Sequence, residues 1–336
     1  MSNALLTTVG LTRHFRIGGL LSRQFLHAVD DVDLMIGRAE IVALVGESGS
    51  GKSTIARLLA LVYKPTRGEI YFEGKPLSAL RFRRQRLAYS SDVPMVFQDP
   101  YSSINPAYRV SHGIVRGMKL HRHELGHRER LGEVDRVLDA VGLVPPREVV
   151  QKFPYELSGG QRQRVGFAQA LAFRPKLIIA DEPVSMLDVS IRIGVLNLMT
   201  ELREREGVSF LYITHDVASA RYIADRVLVM YAGHLVEEGA TEDVLQRPRH
   251  PYTQLLLSAV PDPRAPLGLA DTTDAGEPPK VVDPKEGCRF RPRCPYAIAR
   301  CAAETPLLRE LGSGRRVACH VAEADPQDRT AALAPR

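Results

Sequence analysis

Residues 46–54 decide the fold, and they read Gly46-Glu47-Ser48-Gly49-Ser50-Gly51-Lys52-Ser53-Thr54. The stretch fits the pattern G-x-x-x-x-G-K-[S/T] of a phosphate-binding loop. The apolar, β-branched run before it predicts a buried parallel strand, and the run after it predicts a helix. In this setting the backbone N–H groups of the loop can turn inward around β- and γ-phosphates at the positive end of the helix. We therefore predict a nucleotide site in which Lys52 contributes a positive charge and the Ser53 hydroxyl is a ligand of Mg²⁺.

The bulk composition is that of an ordinary globular protein, with 44% hydrophobic and 25% charged residues in a chain of 336. This length accommodates a nucleotide-binding domain and a second, smaller unit. The net charge is +6, but arginines scattered along the chain explain it as well as a nucleic-acid or membrane surface would. Because no apolar run approaches the roughly 20 residues of a spanning helix and the N-terminus lacks the core of a signal peptide, we expect a cytosolic chain.

An antiparallel β layer is predicted on both sides of the phosphate-binding loop. Residues 5–15 and 28–35 predict strands, and residues 16–27 between them carry a Gly-Gly pair and predict an inserted loop. Residues 68–74 predict a further strand of the same layer, because they form a short β-prone run between turn residues.

A helical region follows a strand that ends in a polar side chain. Residues 94–98 predict this strand, with Gln98 at its end, and a turn-rich stretch extends through Tyr108. Apolar residues then recur with helical spacing up to Gly142, namely Val134, Val137, Leu138 and Val141. Such a stripe is typical of core packing.

Residues 157–161 read Leu-Ser-Gly-Gly-Gln and open the next predicted helix. Ser158 and Gln161 have the S-x-x-Q spacing of a capping box, which satisfies N–H groups at a helix start. Capping explains the serine and the glutamine, but it does not require Gly159 and Gly160. The two glycines also clear space for a large anion to reach the backbone.

Polar side chains end two further buried strands. One strand runs into Asp181 and Glu182, at the carboxyl edge where α/β sheets hold their ligands. Because side chains alternate along a strand, the two carboxylates point in different directions. Asp181 can therefore bind the metal, and Glu182 can bind the attacking water. A second strand ends shortly before His215 and should reach the same edge.

The composition changes after Arg247, because prolines then recur and indicate an extended linker. A hairpin over residues 226–238 is predicted to close the preceding domain. The predicted organisation is an ATPase domain at 1–260 with a helical subdomain at about 100–170, a linker at 261–285, a cysteine-rich module at 286–320 and a disordered tail at 321–336.

These motifs together resemble the ATP-binding subunits of ABC transporters over about residues 5–260. They occur in the family's order: the P-loop at 46–54, the Q-loop Gln98, the signature at 157–161, Walker B at 177–182, the D-loop with Asp188 and the switch histidine His215. The chain is most similar to the peptide and nickel importer ATPases, through residues 96–100 and 250–254 and the cysteine-bearing tail. The resemblance implies an α/β P-loop NTPase (RecA-like) core with an N-terminal antiparallel β layer, an inserted helical subdomain and a small C-terminal module.

The resemblance also implies the roles of individual residues. Two subunits would bind head to tail, with each ATP between one P-loop and the other chain's signature. The implied nucleotide-binding residues are Phe15, Gly46, Glu47, Ser48, Gly49, Ser50, Gly51, Lys52, Ser53, Thr54 and Gln98, with Ser158, Gly159, Gly160 and Gln161 contributed in trans and Asp188 in the D-loop. Phe15 stands where the family usually has a tyrosine, and Phe25 is a weaker candidate for the same base-stacking role.

For catalysis, the resemblance implies that Ser53, Gln98 and Asp181 hold Mg²⁺ and that Lys52 holds the β- and γ-phosphates. Glu182 would position or deprotonate the attacking water, and His215 would contact the γ-phosphate.

The implied partners are a second ABC ATPase subunit, two transmembrane permease subunits and, indirectly, an extracytoplasmic solute-binding protein. The chain would then be peripheral, at the cytoplasmic face of the inner or plasma membrane. We favour a heterodimer over a homodimer, and oligopeptides or dipeptides over oligosaccharides or nickel as cargo. A soluble ABC ATPase acting on nucleic acid is a rival, but the chain has one cassette, no long coiled-coil insertion and no aromatic-basic platform, so we expect no nucleic-acid partner. Intact Glu182 and His215 argue against a non-hydrolysing subunit.

All four cysteines lie in the C-terminal module, at Cys288, Cys294, Cys301 and Cys319. In a reducing compartment such clustering favours a metal before disulfides. The spacing C-x5-C-x6-C-x17-C lacks the knuckles usual for structural zinc and differs from common ferredoxin spacings. We favour a [4Fe–4S] cluster, with zinc as the alternative and disulfides or free thiols behind them. Neighbouring arginines are expected to offset the thiolate charge: Arg289, Arg291, Arg293, Arg300, Arg315 and Arg316.

Overall fold

The computed structural model describes residues 4–18, 23–99, 104–258, 281–312 and 314–324. Its strands are β1 (Ala4–Ile17), β2 (Gln24–Val32), β3 (Met35–Gly37), β4 (Ile41–Val45), β5 (Arg67–Phe72), β6 (Lys75–Pro76), β7 (Met95–Val96), β8 (Leu177–Asp181), β9 (Ser209–Thr214), β10 (Arg226–Tyr231), β11 (His234–Ala240), β12 (Arg309–Glu310) and β13 (Arg316–Val317). Within these residues, no helix has the length and apolar character needed to cross a bilayer.

The α-helices alternate with the strands through most of the chain. They are α1 (Lys52–Leu59), α2 (Arg83–Asp92), α3 (Val110–His121), α4 (His127–Ala140), α5 (Pro146–Val149), α6 (Gly159–Leu171), α7 (Val189–Glu206), α8 (Val217–Ile223), α9 (Thr241–Gln246), α10 (Pro251–Ser258), α11 (Arg300–Ala303) and α12 (His320–Ala324). Short 3-10 turns occupy Leu77–Ala79, Pro154–Glu156 and Arg291–Arg293.

The main sheet has the strand order β12-β13-β11-β10-β4-β9-β8-β7. The strands from β10 to β7 run parallel, whereas β11, β13 and β12 add antiparallel pairs at one edge. Every residue of β4, β8 and β9 is buried, because helices or the second sheet cover both faces. This parallel arrangement brings the carboxyl ends of β4, β7, β8 and β9 to one edge.

Two apolar cores lie on opposite faces of this sheet. Ile41, Ala43 and Val45 of β4 belong to the core shared with α6 and α7, and Val42 and Leu44 belong to the core shared with α1 and the second sheet. The side chains alternate as a strand requires. Helix α1, which follows the phosphate-binding loop, is therefore fixed between two sheets.

The second sheet is the antiparallel layer, in the order β2-β1-β5-β6 with β3 also paired to β1. The layer is confirmed, but the prediction of an inserted loop over residues 16–27 is wrong in extent. Strand β1 continues to Ile17 and β2 starts at Gln24, with Arg16 paired to Phe25 and Ile17 to Gln24. Residues 19–22 lie outside the described part of the chain. A long hairpin is favoured here because the two strands satisfy each other's backbone groups.

The helical region between β7 and β8 agrees with the predicted stripe. Val134, Val137 and Leu138 of α4 are buried, and Val141 caps its end. Gly142 has a φ of 69°, the left-handed conformation that ends many helices. Residues 100–103 of the predicted turn-rich stretch are outside the described residues.

The C-terminal region is more closely packed than the proline content indicates. Pro251 begins α10, because proline is tolerated at the first position of a helix, and Tyr252 behind it is fully buried. Val281 and Val282, placed in the predicted linker, contact β2 through backbone pairing. Residues 321–324 of the predicted disordered tail belong to α12. The rest of that tail and residues 259–280 are not described.

Candidate nucleotide site

The phosphate-binding loop joins β4 to α1, as the sequence predicts. Two of its glycines are required by close backbone approaches. A Cβ at Gly46 would lie 2.2 Å from the Met230 carbonyl oxygen, and one at Gly51 would lie 2.1 Å from the Ala28 carbonyl oxygen. The loop is thus held against β10 on one side and β2 on the other.

Lys52 is almost fully buried at the start of α1. Its Nζ donates to the carbonyl oxygens of Gly46 (2.7 Å) and Glu47 (2.8 Å), so the ammonium group folds back over the loop. Burial lowers the pKa of Lys52, while the nearby Glu182, Asp181 and Glu47 carboxylates raise it. The ammonium group is thus a buried positive charge next to the loop, where it can bind a polyanionic ligand.

Ser53 and Asp181 meet across the end of the main sheet. The Ser53 hydroxyl donates to Asp181 Oδ1 at 3.1 Å. Burial raises the pKa of Asp181, although this hydrogen bond lowers it. A hydroxyl and a carboxylate oxygen at this distance form a hard oxygen donor set of the kind Mg²⁺ prefers, so these residues fit the ion.

Glu182 lies between Gln98 and His215. Gln98 Nε2 donates to Glu182 Oε2 at 3.0 Å, and His215 Nδ1 lies 3.3 Å from Glu182 Oε1. The backbone of Glu182 has a φ of 48°, which is uncommon for a residue with a side chain. Its N–H donates to the Ile213 carbonyl, and its carbonyl accepts from the Ser185 hydroxyl. These two hydrogen bonds hold the backbone of Glu182 in this conformation.

An open cavity next to the loop is lined by Phe15, His27, Val281 and loop residues from Glu47 to Thr54. The Phe15 ring lies edge-on to Tyr63, with the Arg13 guanidinium 4.6 Å from its centroid. Phe15 thus lines the cavity while Tyr63 and Arg13 pack against its ring. Phe25 is exposed and is not among the residues that line this cavity.

A group of polar side chains adjoins the cavity at its rim. Asp30 contacts His14 at 2.9 Å, His27 at 2.7 Å and Arg289 at 2.5 Å. Within the described residues this is where three potential metal ligands come together within 4.8 Å. Because Arg289 already supplies the positive charge, the group is an ion-pair network between the β layer and the C-terminal module.

The signature residues form a helix start that lies apart from this cavity. The predicted capping box is confirmed: the Gln161 N–H donates to Ser158 Oγ at 3.2 Å, and the Ser158 N–H donates to Gln161 Oε1 at 3.0 Å. Gly160 has a packing role that the sequence did not reveal, because a Cβ there would lie 2.4 Å from Ile191 Cγ2. The helix start therefore packs closely on α7.

Asp188 is exposed at the start of α7. Large apolar side chains flank it, with Met186 63% exposed and Val189 71% exposed.

The structure shows a contact to the loop that sequence reasoning missed. Arg293 of the C-terminal module donates to both carboxylate oxygens of Glu47, at 2.8 and 2.9 Å. The Glu47 N–H donates to the Tyr252 hydroxyl at 2.8 Å. Tyr252 belongs to the stretch 250–254 that carries the resemblance, but nothing in the local pattern indicates Arg293.

The four cysteines line one small cavity together with His250, Phe290 and Arg291. Five of the six arginines that were expected to offset the thiolate charge form ion pairs with carboxylates: Arg289 with Asp30, Arg293 with Glu47, Arg300 with Glu304, Arg315 with Glu237 and Arg316 with Glu238. Burial raises the pKa of Cys288 to about 11 and raises the pKa values of Cys294 and Cys319.

Comparison with known proteins identifies the family. Residues 29–185 match the family model described as ABC transporter, and residues 236–301 match the oligopeptide/dipeptide transporter C-terminal region. The chain is 42% identical to the putative oligopeptide transport ATP-binding protein YkfD of Bacillus subtilis, over 94% of this chain and 95% of that one. This chain belongs to the ATP-binding subunits of ABC transporters.

Other relatives agree with this assignment of the cassette. The di/tripeptide transport ATP-binding protein DppF of Pseudomonas aeruginosa is 40% identical, over 95% of this chain and 98% of that one. Among solved structures, cbiO1 of Clostridium perfringens has a TM-score of 0.64 at 27% identity, covering 73% of this chain and 92% of its own. The cassette MJ0796, solved as a dimer with ADP and Pi, has a TM-score of 0.62 at 27% identity, covering 70% and 98%. The chain is thus an ABC ATPase, and the predicted P-loop NTPase fold is confirmed.

Proposed function

We propose that this ATPase subunit powers the import of oligopeptides or dipeptides through two transmembrane permease subunits, at the cytoplasmic face of the membrane. An extracytoplasmic binding protein would deliver the cargo to the permeases. The observation that carries the proposal is the catalytic group at the sheet edge, where Glu182 lies between Gln98 and His215 and next to the Ser53–Asp181 pair. The peptide cargo is supported by the match of residues 236–301 and by relatives named for peptide transport. Oligosaccharides and nickel remain the alternative cargoes.

In this proposal each residue near the loop has one task. Lys52 and the loop N–H groups hold the β- and γ-phosphates, and Ser53, Asp181 and Gln98 hold Mg²⁺. Magnesium, when bound, neutralises charge on the phosphates. Glu182 orients or deprotonates the attacking water, because its carboxylate is held by Gln98 and His215 in one direction.

We also propose that ATP is enclosed only when a second ATPase subunit adds its signature helix. The exposed Met186, Asp188 and Val189 next to the catalytic carboxylates support this, because such a surface is suited to burial. The signature of this chain, Ser158 to Gln161, would serve the partner's ATP through the N–H groups of a capped helix start. A partner with a different sequence is favoured, and a second copy of this chain is the alternative.

The variant Glu182→Gln tests the catalytic assignment. ATP binding should stay intact, because the amide keeps the shape of the side chain, whereas turnover should fall by roughly two orders of magnitude or more and a closed dimer should accumulate. Turnover is measured on the subunit assembled with its partners, and dimer formation by size-exclusion chromatography with light scattering. Glu201→Gln, an exposed carboxylate of α7, is the matched control. Near-normal turnover of Glu182→Gln would remove Glu182 from this role.

For the four cysteines we propose a structural or regulatory [4Fe–4S] cluster, with zinc as the alternative. All four cysteines line one small cavity, which supports a shared centre. Their spacing lacks the knuckles usual for structural zinc, which is why iron is favoured. Because burial raises the pKa values of Cys288, Cys294 and Cys319, the positive charge of a bound centre would stabilise their thiolates.

Elemental analysis of protein purified without oxygen tests this proposal. We expect about four iron and four sulfide per chain, with a brown colour, and loss of both in Cys294→Ser. Ser258→Ala, an exposed hydroxyl outside the cavity, is the control. Equimolar zinc without iron would establish the alternative, and a chain without metal would reject both.

A further inference from the structure

The C-terminal module contacts the phosphate-binding loop through one ion pair. The guanidinium of Arg293 donates in parallel to the two carboxylate oxygens of Glu47, at 2.8 and 2.9 Å. The Arg293 side chain is 11% exposed and that of Glu47 is 25% exposed. Exposed ion pairs contribute little, but this pair is bidentate and mostly shielded from water, so it is of the stronger kind.

Glu47 is also held through its backbone, at the point where β4 enters the loop. Its N–H donates to the hydroxyl of the buried Tyr252, and its carbonyl oxygen accepts from Lys52 Nζ. The conformation of Glu47 therefore directly affects the position of the ammonium group that faces the phosphates. A movement of the Glu47 side chain would therefore move the loop.

Arg293 is fixed from the other side by the turn that carries two of the cysteines. Its N–H donates to the Phe290 carbonyl, and the Cys294 N–H donates to the Arg291 carbonyl. Its guanidinium also lies 5.7 Å from the Tyr231 ring and 5.9 Å from the Phe290 ring, within a buried aromatic group that includes Tyr252. The side chain thus has little freedom to leave Glu47.

We propose that Arg293 is a positioning residue of the ATP site, and that the C-terminal module sets the affinity for ATP by holding and neutralising Glu47. This inference rests on the proposed binding of ATP phosphates at Lys52. Two physical effects act in the same direction. The ion pair fixes the loop in the conformation that presents its N–H groups, and it cancels a carboxylate charge that would otherwise repel the phosphates.

The proposal predicts a separation between binding and turnover. Arg293→Ala should weaken Mg·ATP binding and raise the KM for ATP about tenfold, with kcat changed less than twofold, because Glu182 and its neighbours are untouched. Arg293→Lys keeps the charge but loses the parallel hydrogen bonds, and should raise KM about threefold. Adding Glu47→Gln to Arg293→Ala should restore part of the affinity, since it removes the uncompensated carboxylate.

The experiment compares these variants in the full chain assembled with its partner subunits, by calorimetric titration with Mg·ATP and by ATPase kinetics. Arg309→Ala removes the same charge from an exposed position of the same module, outside the cysteine cavity, and should leave KM unchanged. Thermal unfolding curves establish that each variant is folded. If Arg293→Ala does not fold, the comparison is made with Arg293→Lys alone.

Two outcomes separate this inference from the function on which it rests. If Lys52→Ala leaves ATP binding unchanged, the proposed site is wrong, and so is the inference that rests on it. If Lys52→Ala abolishes binding while Arg293→Ala and Arg293→Lys bind ATP like the unmodified chain, the site stands and the role of Arg293 is overturned. A fall in kcat at unchanged KM would also overturn it.

Discussion

Glu237 shows how a buried charge joins the ATPase domain to the C-terminal module. It lies on β11 with no exposed surface, and its carboxylate accepts from the N–H groups of Arg249 and His250, both at 2.9 Å. Arg315 of the C-terminal module completes the site, with Nε 3.1 Å from Glu237 Oε1. A buried carboxylate is tolerated only when its charge is compensated and its oxygens accept hydrogen bonds.

At this scale, removal of Arg315 should be costly. Arg315→Met keeps most of the side-chain volume but leaves Glu237 buried without a cation, so we expect a loss of about 3–5 kcal/mol in the free energy of unfolding. Arg221→Met breaks the exposed pair with Glu242, 2.9 Å apart, and should leave the free energy of unfolding almost unchanged, because water screens this pair. Urea unfolding followed by circular dichroism compares the two. Equal losses in both variants would contradict the argument.

Among the elements, α6 combines a structural and a functional task at its first residues. The capping box satisfies N–H groups within the chain, while the same helix start is proposed to face a phosphate of another subunit. Sequence reasoning identified the cap, because its spacing is local, but it could not show that Gly160 makes room for Ile191.

Two substitutions at Ser158 separate these tasks. Ser158→Ala removes the cap and should cost about 1 kcal/mol of stability. Ser158→Asp keeps a good cap, so stability should be unchanged, but its carboxylate would repel the phosphate and abolish the ATP-dependent dimer that Glu182→Gln accumulates. Thermal unfolding measures the change in stability, and light scattering measures the ATP-dependent dimer. A Ser158→Asp subunit that still dimerises with ATP would show that the helix start does not meet the phosphate.

For the whole molecule, the sequence predicted the features that depend on local patterns and on the order of the motifs. The loop at 46–54, the carboxylates Asp181 and Glu182, and the antiparallel layer all lie where expected, because parallel strands bring their carboxyl ends to one edge. The pair of Glu47 and Arg293 could not be predicted, since 246 positions separate them and neither stands in a pattern that indicates the other. The packed helix α10 could not be predicted, because the prolines near its start indicate a linker.

The addition of β13 to β11 has a consequence for how this chain can be shortened. Strand β11 has β10 on one side and, on the other, Val317 and Arg316 opposite Glu237 and Glu238. A chain that ended before residue 281 would leave unpaired backbone groups along the rim of the main sheet and would leave Glu237 without Arg315, whereas Glu238 would keep Arg226. Such an edge recruits other strands, so the truncated cassette would fail first by self-association during production, whatever the condition of its catalytic residues.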